Sequence, residues 1–224
     1  LVNGLVFVFS RRALKPYGLA DLIGALFLLG ALVSVRRDDD DTFRYGIALG
    51  GVFPGKRGDP RSLIRALITE TPTALKELLI AVGVGAVVFP VYAFFWPMFN
   101  RVPLHRSFGL DRAHVGEIAT TMFAVALTEE LYFRGYLQTR IADALGVHRD
   151  DLARKSLKLM APAIVLTSAL FALTHVTVEL TVPRAAVLFP GLLFGVLRCW
   201  RGGIGAAVFL HAMSNLFEQW LEGL

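Results

Sequence analysis

Leu78 to Asn100 is a run of 23 residues without a charge, and it constrains this chain more than any other stretch. A helix of that length rises about 34 Å, enough to cross the roughly 30 Å hydrocarbon core of a bilayer. Pro90, Trp96 and Pro97 within it predict a kink and an interfacial aromatic anchor. The rest of the chain agrees: 55% of the residues are hydrophobic and 18% charged, less charge than a soluble domain of this length needs to cover its surface. The apolar stretches are continuous and do not alternate with period two, which argues against a closed barrel. The reading is all-α: a polytopic transmembrane helical bundle, with residues 1–224 forming a single membrane domain.

About six spanning helices are expected, over 17–35, 78–100, 113–137, 159–182, 184–200 and 202–220. Ser62 to Glu77 has Leu63, Leu67 and Leu75 among Arg65, Glu70 and Lys76. This predicts an amphipathic interfacial helix that Pro72 bends or interrupts. The charged run 36–41 reads as a solvated loop, 54–60 as a turn-rich break, and 101–112 and 143–158 as charged loops. The sequence starts at Leu1 and not at Met, and the apolar residues 1–9 read as the tail of a truncated helix. With six spans, 16 of the 23 Lys and Arg fall on one face, which the positive-inside rule makes cytoplasmic, with both ends outside. The net charge of +5 fits basic loops facing anionic lipid. No aromatic-interleaved basic patch points to nucleic acid. The single cysteine, Cys199, excludes an internal disulfide framework and a Cys-based zinc knuckle.

Three of these helices carry polar residues one turn apart: Glu129-Glu130-x-x-x-Arg134, Phe171-x-x-x-His175 and His211-x-x-x-Asn215. The uncharged stretch before the first, Ile118 to Thr128, covers only 11 residues. That helix can therefore span only by running on through the glutamates. Ionisable groups at such depth face a protein interior or a wet cavity and mark function. At about 100° per residue, Glu130 and Arg134 lie about 40° apart around the helix, and Glu129 and Arg134 about 140° apart. Glu130 is the natural partner of Arg134. Glu129 lacks that cation and is the better candidate for a general base. Glu117 and Glu179 read as residues near the interfaces.

Each pair alone has a plain structural reading. A helix can end at a solvated Glu-Glu pair, a core His can be a satisfied hydrogen-bonder, and an Asn can link two helices. Together, on three helices, they point to a buried polar site with the residue types of acid–base and oxyanion chemistry.

The three motifs, in this order on successive helices, resemble the CAAX prenyl protease and bacteriocin-processing (CPBP) family, whose members were also labelled abortive-infection proteins. The resemblance covers about 118–217 and makes 113–220 the catalytic core. It implies an intramembrane endopeptidase built as a helical bundle around a wet cavity, in the cell (inner) membrane. It further implies that Glu129 and His175 activate a water and that His211 and Asn215 stabilise the oxyanion. Glu130 and Arg134 would support the helix as an ion pair, with Phe171 packing behind His175. The implied partners are membrane lipid and a protein or peptide substrate, lipidated or not, and the implied mechanism needs no cofactor.

Three other readings stay open. Glu129, His175 and His211 suit zinc as ligands, although the chain lacks the H-E-x-x-H helical motif. The polar core could serve a non-catalytic immunity or partner-binding membrane protein, since fold does not dictate function. Haem ligation by His175 and His211 is disfavoured, because it leaves the glutamates without a role.

Overall fold

The computed structural model describes residues 60–100, 116, 118–147 and 156–222, together with 27, 29, 30, 45 and 46; in the first long helix, side chains are described over 71–98. Apart from these, the expected span 17–35, the charged run 36–41, the break at 54–60 and the loop 101–112 lie outside the described residues. All regular elements among the described residues are helical.

The first long helix, α1, runs Pro60–Asn100, 41 residues, with Pro72, Pro90 and Pro97 inside it. The expected interfacial helix and the expected span are thus one helix, and Pro72 does not interrupt it. A proline removes one backbone donor, a small loss for a helix of this length held by neighbours.

Helix α2 is composite. A π-helical turn, Thr121–Ala126, is followed by α-helical Leu127–Glu130, a second π-helical segment, Leu131–Leu137, and α-helical Gln138–Ala144. The junction residues Leu127, Leu131 and Gln138 all keep right-handed helical dihedrals, so the axis is continuous. The two wide segments bracket the four residues that contain both glutamates. Thr128 Oγ1 donates to Ala124 O at 2.7 Å and lies 3.0 Å from Val125 O. It serves carbonyls that π geometry leaves poorly paired.

Helix α3, Leu157–Glu179, stops at Leu180, which takes a left-handed conformation (φ 56) and returns its N–H to Val176 O. A 3-10 segment, Val182–Val187, leads into α4, Leu188–Arg201. Gly202, at φ 76, closes α4, and α5 covers Gly205–Glu222. Helix α5 packs on α1 and α4, α3 packs on α4, and α2 crosses α3, α4 and α5.

Three helical stretches are long and apolar enough to cross a membrane: Thr71–Met98, Leu157–Val178 and Val182–Arg201. They match three of the six expected spans. The segment expected at 113–137 is helical over its described residues, and that expected at 202–220 is helical over 205–220.

Packing is inverted relative to a water-soluble protein. The best-buried positions include Ala81, Ala126, Ala163, Ala206 and Ala207, all 0% exposed, whereas Leu79, Val87, Phe94 and Met98 on α1 are 69–73% exposed. Small residues let helix backbones approach where the surroundings are as apolar as leucine, and large apolar groups face outward. Two cations assigned to the basic face, Arg134 and Arg198, are buried, so they do not mark a solvent face.

Candidate active site

Glu130 and Arg134 lie one turn apart on α2 and are both fully buried. Arg134 Nη1 donates to Glu130 Oε1 at 3.0 Å. The guanidinium sits 4.3 Å from the ring centre of Phe171 on α3 and 5.2 Å from that of Phe194 on α4. Its other terminal nitrogen donates to Gly191 O at 3.2 Å. One turn on, Gln138 Nε2 donates to Gly195 O, also at 3.2 Å. Both bonds bridge 57 residues of chain, so Arg134-x-x-x-Gln138 and Gly191-x-x-x-Gly195 form a two-rung ladder between α2 and α4. A Cβ on Gly195 would come 2.8 Å from Ile164 Cγ2 and 3.1 Å from Gln138 Oε1; one on Gly191 would come 3.3 Å from Arg134 Nη2. The absence of side chains at these two positions lets the rungs form.

Glu130 Oε1 has a second neighbour. His211 Nδ1 on α5 lies 2.8 Å away, and since a carboxylate accepts, the imidazole donates. The His211 ring stacks on Phe194, with centroids 5.0 Å apart and planes inclined by 18°. Bonded at Nδ1 and held by a ring, His211 aims Nε2 at Glu129, 3.8 Å from Oε2.

His175 approaches the same oxygen from α3. Its Nε2 is 4.0 Å from Glu129 Oε2, while Nδ1 is 3.0 Å from Phe171 O one turn back. A carbonyl only accepts, so Nδ1 carries the proton, and in the neutral ring Nε2 presents a lone pair. The Phe171 ring packs edge-on against His175 at 4.4 Å. Glu129 Oε2 is buried and makes no hydrogen bond among the described residues. The geometry therefore centres on one carboxylate oxygen faced by two imidazole nitrogens.

The structure brings together Glu129, Glu130, Arg134, Phe171, His175 and His211. Asn215 follows His211 by one turn of α5; it is partly exposed, and its amide makes no hydrogen bond among the described residues. No three or more His, Cys, Asp or Glu among the described residues are grouped to hold a metal.

Sequence reasoning missed Gly191, Phe194, Gly195 and Gln138. The signal was present: Gly191-Leu-Leu-Phe-Gly195 is a G-x-x-x-G pattern in an apolar helix, at the same spacing as Arg134 and Gln138. A second ion pair also lay hidden. Arg201 Nη2 donates to Glu77 Oε1 at 2.7 Å, fastening the end of α4 to α1. Gly205, where α5 begins, leaves room for the Glu77 stem.

Comparison with known proteins agrees with the motif order. Residues 112–217 match the family model described as type II CAAX prenyl endopeptidase Rce1-like. No curated protein and no solved structure matches the chain. The matched segment contains Glu129, Glu130, Arg134, Phe171, His175, His211 and Asn215. Over residues 112–217 the chain is thus similar to the Rce1-like family of type II CAAX prenyl endopeptidases.

Proposed function

We propose that this protein hydrolyses a peptide bond of a membrane-associated protein or peptide, with Glu129 and His175 activating the attacking water and His211 and Asn215 stabilising the oxyanion. The observation that carries this reading is the buried Glu129 Oε2, faced by His175 Nε2 at 4.0 Å and His211 Nε2 at 3.8 Å. A water between Glu129 Oε2 and His175 Nε2 has an acceptor for each of its protons and keeps a lone pair for attack. As its oxygen bonds to the scissile carbonyl carbon, one proton passes to Glu129. When the C–N bond breaks, that proton leaves with the amine.

The developing oxyanion needs donors. With Nδ1–H committed to Glu130, His211 supplies an Nε2–H only as the imidazolium, whose two N–H groups then serve Glu130 and the oxyanion together. In that state the buried network holds two cations, Arg134 and His211, against two carboxylates, Glu129 and Glu130. A balanced charge count is what burial of such groups requires. The Asn215 amide, one turn along the same face, is the second donor.

The test is cleavage of a quenched-fluorescence peptide library, with and without a prenylated cysteine, by the purified full chain before and after exhaustive chelation. Activity that survives chelation and disappears in Glu129→Gln supports the proposal. Loss on chelation with rescue by Zn²⁺ would transfer Glu129, His175 and His211 to a zinc site. A chain that folds and cleaves nothing would favour an immunity or partner-binding role.

A further inference from the structure

Helical hydroxyls in this bundle usually find a carbonyl on their own helix. Thr128, Thr139, Thr174 and Ser214 each donate to the carbonyl four residues back, at 2.7–2.8 Å. Thr167 and Ser168 on α3, each 1% exposed, depart from that pattern: neither hydroxyl makes a hydrogen bond among the described residues. The same is true of Arg134 Nε, Gln138 Oε1 and Glu130 Oε2 on α2, and these side chains are as deeply buried.

The glycines of α4 bring these groups into one region. The point that a Gly191 Cβ would occupy lies 3.3 Å from Arg134 Nη2 and 3.4 Å from Ser168 Cβ; the point for Gly195 lies 3.1 Å from Gln138 Oε1 and 2.8 Å from Ile164 Cγ2. Ser168 therefore faces α4 at the level of Arg134, and Ile164, one turn earlier on α3, stands at the level of Gln138. Thr167 and Ser168 both lie one turn before Phe171, whose ring centre is 4.3 Å from the guanidinium. An apolar cluster that includes Ala142, Met160, Ala163, Ile164 and Cys199 closes the region at one end. The Glu130–Arg134 pair closes it toward Glu129.

The unpartnered atoms select their ligand. Arg134 Nε only donates, Glu130 Oε2 and Gln138 Oε1 only accept, and a hydroxyl does both. The Glu130–Arg134 pair is neutral as a unit, so the region calls for no ion. Where even one added carbon would crowd its neighbours, the occupant is small. We propose that water is bound in this enclosure between α2, α3 and α4, bonded to the Thr167 and Ser168 hydroxyls, Arg134 Nε and Gln138 Oε1, and that through it Ser168 is a positioning residue for Arg134. A buried polar atom without a partner costs stability, and an enclosed water with about two to four polar neighbours removes that cost. The effect carries forward, because Arg134 holds Glu130 Oε1 at 3.0 Å and the same oxygen receives His211. Water bound here does not depend on peptide cleavage.

The experiment uses the full chain in lipid nanodiscs with ¹⁵N-labelled arginine, the Arg134 Nε–H being the signal that Arg134→Lys removes. That group is fully buried, so magnetisation reaching it from water within a short mixing time reports a bound molecule. Transfer is expected in the wild type and should be largely lost in Ser168→Ala. No transfer in the wild type overturns the water site, and undiminished transfer in Ser168→Ala overturns the role of Ser168. Unfolding temperatures in detergent give a second answer that needs no assigned signal. Ser168→Ala and Thr167→Val should each melt lower by about 2–4 °C, and alanine's higher helix propensity works against that fall. A dry enclosure gives the opposite sign, since each substitution then deletes a polar atom that had nothing to bond. A rise in both variants overturns the proposal.

Discussion

His211 Nδ1 lies 2.8 Å from Glu130 Oε1, the same oxygen that accepts from Arg134 Nη1 at 3.0 Å. One buried carboxylate thus joins α2 to α5, while its arginine reaches Gly191 O on α4. The second glutamate of the pair does more than staple its own helix: it sets the direction in which His211 presents its other nitrogen. Removing it strands a buried guanidinium. Glu130→Ala should destabilise the fold by about 3–5 kcal/mol, read as a lowered unfolding temperature in detergent with loss of activity. Glu130→Gln, which keeps one acceptor, should fall between it and the wild type. An unaltered melt for Glu130→Ala would remove the network role.

Glu129 behaves in the opposite way. Its Oε2 carries no hydrogen bond among the described residues, so Glu129→Gln should leave the unfolding temperature nearly unchanged. Turnover should fall by about 10²–10⁴, the range for loss of a general base. Parallel melts and single-turnover cleavage separate the two effects.

The two residues proposed as oxyanion donors should also part company. His211→Ala and Asn215→Ala should each lower kcat by about 10²–10³. His211→Ala also loses the Glu130 bond and the Phe194 stack, and should melt earlier. Asn215→Ala gives up no hydrogen bond among the described residues and should melt like the wild type. Equal melts for the two variants would contradict this division.

Gly195→Ala should destabilise by about 1–3 kcal/mol, because the new Cβ meets Ile164 Cγ2 at 2.8 Å and Gln138 Oε1 at 3.1 Å in a packed interface. Gly83→Ala on α1 is the control. Nothing lies within 4 Å of its Cβ position, so the gain in helix propensity should make it neutral or stabilising by up to about 1 kcal/mol. Unfolding of both variants in the same detergent decides, and a harmless Gly195→Ala would mean that the α2–α4 ladder is loose.

Helix class, the apolar character of the chain and the polar positions were legible because they depend on local spacing. A charge-free run of bilayer length needs no partner to be recognised, and the Glu130–Arg134 pair follows from four residues of helix. Spacing also set Glu129 apart from Arg134. The continuity of α1 through Pro72 was not legible, since whether a proline ends a helix depends on what holds the helix on either side. Nor was the burial of Arg134 and Arg198: a cation counted as a marker of topology looks the same in sequence as one enclosed by a bundle.

What the sequence determined by itself, then, is which polar residues stand out in the apolar helices and how each is turned relative to its neighbours within a helical turn or two. Tertiary structure alone decided which of them meet. The Glu130–His211 bond spans 81 residues and the rungs from Arg134 and Gln138 to the glycine carbonyls each span 57. Such contacts depend on how closely helices approach, and that approach depends on small residues at positions whose meaning appears only when the facing helix is in place. Helical periodicity fixes angles around one axis; it carries no information about the distance between two.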